Sequence, residues 1–146
     1  MPSDDVKRFH AEFADVFNEF WHGPRFGVQR RGFQPHIDVM RTEDPDELRV
    51  MVELAGVDPE DVHVVVHERA LVIAGRRRRF HLDCRPSYHL LEIEYGPFER
   101  RLGLPVDVDP RHAEATYDRG LLVITLPIAS RPPRRGRITI RVSTTA

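Results

Sequence analysis

The chain has 146 residues, room for one domain with extensions. A hydrophobic content of 40% allows a buried core, and 31% charged residues favour a protein that lives in water. The net charge of -1 excludes a global field that would draw the chain to nucleic acid or to an anionic membrane.

No apolar run approaches the roughly 20 residues that a membrane-spanning helix needs. Met1-Pro2-Ser3-Asp4-Asp5 lacks the basic-then-apolar order of a signal peptide. Cys84 is the only cysteine, so an intramolecular disulfide framework is ruled out and a reducing compartment fits; a cytoplasmic protein is expected. Lys7 is the only lysine, which reflects either codon usage or a choice of guanidinium groups for interface ion pairs.

Residues 1–34 read as an aromatic helical arm. Val6, Phe9, Phe13, Val16, Phe17 and Phe20 recur at three- and four-residue steps with Trp21 beside them, an apolar stripe at helical period. Ser3 can cap the start, Asp4 and Asp5 suit the first turn, and Gly23-Pro24 end it. A helix this aromatic needs cover, from its own domain, from other subunits or from other proteins. The stretch Arg25–Gln34 reads as a mobile linker.

Residues 35–129 carry strand-like runs about ten residues apart, the spacing of a β-sandwich. Ile37 and Val39 alternate with polar neighbours, and Glu43-Asp44-Pro45-Asp46 is a turn. Leu48, Val50, Val52 and Leu54 then form the cleanest half-buried strand. Val62, Val64 and Val66 make one row of the next strand, and a turn at Glu68-Arg69 leads into Ala70–Gly75. A valine row on an edge strand offers a site for another chain. Residues 76–96 are a polar excursion, long for a compact domain, with a strand-like piece at Tyr88–Glu92. The last hairpin runs from Ala115 through Asp118-Arg119-Gly120 to Leu126-Pro127; both faces of its second arm are largely apolar, so cover on both sides is expected.

Residues 130–146 form a C-terminal extension. Ser130–Gly136 is a Pro- and Arg-rich tether, followed by Arg137-Ile138-Thr139-Ile140-Arg141-Val142, with both isoleucines on one face of an extended segment. Such a segment can dock on another chain or close as a last strand of its own.

Four features occur in order along the chain: Glu53-Leu54-Ala55-Gly56-Val57 followed by Glu60-Asp61, Gly96-Pro97-Phe98-Glu99-Arg100 running on to Leu104-Pro105, Ala115 with Arg119-Gly120-Leu121-Leu122 and Leu126-Pro127, and the terminal Ile138-Thr139-Ile140. Together they resemble the small heat-shock proteins of the Hsp20/α-crystallin family, bacterial type. The resemblance implies an all-β, immunoglobulin-like sandwich with a helical N-terminal arm and an extended tail. It also implies an ATP-independent holdase that binds unfolding client proteins.

Residue by residue, the resemblance implies client binding by Phe9, Phe13, Phe17, Phe20 and Trp21. It implies a groove along Val62, Val64 and Val66 that accepts Ile138 and Ile140 of another dimer. It further implies a homodimer joined through Tyr88, Leu90, Leu91, Glu92 and Arg100, which builds a higher homo-oligomer. The rival readings are a β-sandwich co-chaperone or adaptor that binds a folded partner, and an enzyme or nucleic-acid binder.

Enzymatic chemistry is not expected. His63 and His67 lie four apart, which in a strand separates them by about 13 Å, too far for one metal ion. Cys84 has no base or oxyanion site nearby in sequence. Arg76-Arg77-Arg78-Arg79 has no aromatic platform or recognition helix in its sequence pattern, so a solvated loop or a surface paired with a partner's acidic groups is expected rather than specific nucleic-acid binding. No Gly-rich phosphate loop occurs, so no cofactor and no ATP are expected. The eight histidines make assembly a candidate for sensitivity to mild acid.

Overall fold

The computed structural model describes residues 32–143. Alternation sets its strands. In β2 (Asp46–Glu53), Leu48, Val50 and Val52 turn inward and are buried, whereas Arg49 and Glu53 stay exposed. β1 (Ile37–Glu43) pairs antiparallel with β2, and β2 pairs with β7 (Leu121–Pro127). β7 pairs with β6 (Glu114–Asp118), so the first sheet runs β1-β2-β7-β6 and ends on β9 (Ile140–Val142). The second sheet runs β5 (Gly96–Gly103), β4 (Ala70–Arg77), β3 (Val62–His67) and β8 (Arg135–Ile138).

The two sheets bury one core between them. Val50, Val52, Leu122, Ile124 and Leu126 meet Val64, Val66, Leu71, Ile73 and Phe98 in a single apolar cluster. Each such side chain contributes about 1.5–3 kcal/mol on full burial. The result is the all-β sandwich expected from strand spacing.

The β6–β7 hairpin turns on two consecutive residues of positive φ, Arg119 at 49° and Gly120 at 84°. This is the primed turn that matches strand twist and favours Gly and Asn. Gly120 also sits against Ala55, and its carbonyl accepts from Leu54 N at 2.7 Å.

Three expectations are corrected. Tyr88–Glu92 is not a strand in the single chain: residues 78–95 are irregular and pair with none of its strands. The second face of β7 is not fully covered, since Leu121, Val123 and Thr125 keep exposed or half-buried positions on the outer side of the sheet. Phe33, assigned to the linker, is a core residue that meets Phe98 edge-on at 5.4 Å.

Candidate interaction surfaces

The valine row of β3 forms one wall of a groove, and the C-terminal segment of the same chain fills it. β8 lies antiparallel to β3 with Val64 opposite Ile138, Val65 opposite Arg137 and Val66 opposite Gly136. Ile138 is 3% exposed and joins the core cluster. The chain then crosses between sheets at Thr139. β9 pairs parallel with β6, with Ile140 opposite Ala115, and Ser143 N donates to Tyr117 O at 3.0 Å. The two isoleucines thus serve different sheets: Ile138 caps β3 and Ile140 caps β6, closing the side of the sandwich where both sheets would otherwise end.

Local chemistry shapes this groove. Its floor is the loop at Asp109-Pro110. A Cβ at Gly136 would stand 2.5 Å from Pro110 Cβ, so only glycine lets the tail approach this closely. The loop is held by the buried Asp109 carboxylate, which accepts from Arg111 Nε and Nη2 at 3.0 Å each, and from His112 Nδ1 at 2.9 Å. The Arg111 hydrogen bonds, helped by that of His112, outweigh burial and hold the Asp109 carboxyl well below the usual carboxylate range. Asp109 N also donates to Pro127 O, fixing the loop to the point where the tether leaves β7. Flanking polar contacts add to the docking: Arg137 Nη2 lies 3.1 Å from His63 Nδ1, and Glu68 N donates to Arg134 O.

The second surface is the long loop. Tyr88, Leu90, Leu91 and Ile93 are 58%, 74%, 57% and 64% exposed, a run of exposed apolar side chains on irregular backbone. Glu92 beside them is exposed. In the other sheet, β1 is an edge strand whose outer side has no strand partner among the described residues, and Val39 and Met40 on it are exposed. Arg100 lies on β5, where its Nη1 donates to Pro35 O at 2.8 Å, just ahead of β1.

The arginine run is largely exposed, as expected of a solvated surface, and also makes contacts within the chain. Arg77 donates to the carbonyls of Glu94 and Ala55, Arg78 pairs with Asp61 at 2.8 Å, and Arg79 stands 4.7 Å over the Tyr95 ring. Three of the four arginines are therefore engaged within the chain. Sequence reasoning missed Phe33 and Tyr95, because a lone aromatic in a polar stretch has no periodicity to mark it.

Phe9, Phe13, Phe17, Phe20 and Trp21 lie outside the described residues. Among those described, no group of three or more His, Cys, Asp or Glu side chains could hold a metal ion, and no helix is long and apolar enough to cross a membrane.

The match to known proteins covers this same region. The family model described as Hsp20/alpha crystallin family matches residues 40–143. The chain belongs to the Hsp20/α-crystallin family. An α-crystallin of Mycobacterium tuberculosis is 35% identical over 135 residues, 89% of this chain and 87% of that protein. Small heat shock protein C2 of Rickettsia felis is 29% identical over 129 residues, 87% of this chain and 82% of that protein. Among solved structures, heat shock protein 16.0 from Schizosaccharomyces pombe superposes with a TM-score of 0.62 at 31% identity, covering 75% of this chain and 99% of that one. Hsp20/α-crystallin proteins are small heat-shock chaperones, not enzymes, and this chain carries their sandwich.

Proposed function

We propose that this chain is an ATP-independent holdase that captures unfolding proteins and keeps them from aggregating. The observation that carries the reading is the tail in its groove: a short segment, on a Pro-rich tether, buries Ile138 against β3, which without it would be an edge strand open to the same segment of another copy. Burial of one isoleucine contributes about 1.5–3 kcal/mol, and ordering the tether offsets much of it. A single docking event is therefore reversible, and several in one assembly hold by avidity.

Two surfaces then build the oligomer. Two subunits pair when the Tyr88–Glu92 segment of each adds to the free edge of β1 in the other, with Arg100 at the contact; the exposed leucines and the unpartnered edge support this reciprocal exchange. Dimers join when Ile138 of one occupies the Val62-Val64-Val66 groove of another and Ile140 the adjoining edge of β6, displacing the tail that lies there in the single chain. The aromatic arm, with Phe9, Phe13, Phe17, Phe20 and Trp21, is covered in the assembly. Heating frees it to bind apolar patches on clients. No chemical step is involved, and the cytoplasm is the compartment in which the single cysteine stays reduced.

The test is recovery of the client. A heat-labile enzyme warmed with this chain in nucleotide-free buffer elutes as a soluble complex containing both proteins. Elution of this chain alone, with the enzyme in the pellet, removes the function.

A further inference from the structure

Arg77 is the last residue of β4, where the loop leaves the sheet, and it touches the residues that flank both halves of the contact proposed for subunit pairing. Its guanidinium carbon lies 3.6 Å from the Phe33 ring centroid and 5.7 Å from that of Tyr95. In the guanidinium plane, Nε donates to Glu94 O at 2.8 Å and Nη1 to Ala55 O at 3.3 Å. Arg79 extends the series, 4.7 Å from the Tyr95 centroid and 5.8 Å from that of Tyr88. Guanidinium and aromatic groups thus alternate from the core residue Phe33 out to the exposed apolar end of the loop.

The two ends of this series matter for pairing. Phe33 is four residues ahead of Ile37, where the edge strand β1 begins, and is anchored in the core against Phe98. Glu94 and Tyr95 are the last residues of the loop before β5. We infer that Arg77 is the positioning residue for subunit pairing: it ties the end of the donor loop to the segment leading into the acceptor strand, so that both halves of a two-fold contact are set in advance. The inference rests on the loop-to-edge pairing proposed above.

A preorganised loop surrenders less freedom when it docks, which strengthens association without adding any contact. The role requires arginine. A planar guanidinium can pack against a ring while donating in its own plane to two carbonyls; a lysine ammonium can do one or the other.

The experiment uses the full chain in a dilution series followed by native mass spectrometry, comparing wild type with Arg77→Lys and Arg77→Met. Hydrogen exchange of segments 33–43 and 88–95 and the thermal midpoint are measured on the same samples. Both variants fold, and the dimer dissociation constant rises about tenfold or more in Arg77→Met and less in Arg77→Lys, with faster exchange in both segments. A dimer constant within about twofold of wild type in folded Arg77→Met overturns the role of Arg77 while leaving the pairing intact. A wild-type chain that stays monomeric at every concentration overturns the pairing, and the inference with it.

Discussion

Ile138 lies directly opposite Val64, the two buried together at the edge of the four-stranded sheet. Two residues on, Ile140 pairs with the other sheet, so one short motif grips both layers of the sandwich at once. That division of labour makes the two isoleucines unequal, since Ile138 is in the core cluster and Ile140 only packs against it.

Ile138→Ala should therefore weaken tail docking by about 2–4 kcal/mol, the cost of truncating a buried isoleucine, and Ile140→Ala by less. Light scattering is expected to show the double variant shrinking toward dimers, with Ile138→Ala accounting for most of the change. An unchanged mass would separate the tail from assembly.

Gly136→Val tests the same docking with both isoleucines in place. The added Cβ collides with Pro110, so the tail must lift or the Asp109-Pro110 loop must move. The expected result is a smaller assembly and a domain whose thermal midpoint stays close to that of Ile138→Ala.

The Asp109 carboxyl is held below its ordinary range in the folded chain by Arg111 and His112. A lowered folded-state value means that the stabilisation is present above the unfolded carboxyl's value, near pH 4, and is lost as pH falls through the folded one. Asp109→Asn should lower the thermal midpoint by a few degrees at neutral pH and flatten its fall in acid. The effect is modest because both partners are largely exposed and salt-screened. Calorimetry from pH 7 to pH 2 checks both features.

Arg119 takes the first of two positive-φ positions in the β6–β7 turn. Asparagine enters this conformation more readily, and the exposed Arg119–Asp118 ion pair at 3.1 Å adds little. Arg119→Asn should raise the thermal midpoint by a few degrees and leave the oligomer mass unchanged.

The sandwich was legible because its signals are local. Alternation at Leu48, Val50, Val52 and Leu54, the valine row of β3 and the turn at Gly120 each follow from period and turn chemistry. What could not be read is non-local. Whether the Ile138 segment closes on its own sheet or another's depends on tether path, not on composition. Tyr88–Glu92 has strand-like residues but finds no ladder within one chain, so propensity alone misplaced it. The internal contacts of the exposed arginine run could not be read because its partners are backbone carbonyls, the Asp61 carboxylate and distant rings, which leave no pattern in sequence.

The central claim is that weakly docked apolar surface protects clients without chemistry. Light scattered by a heat-labile enzyme, warmed with an equal amount of this chain and no nucleotide, tests it most directly. The account predicts that scattering stays near its starting level and that added ATP changes nothing. Scattering that rises as fast as in the enzyme alone would contradict it.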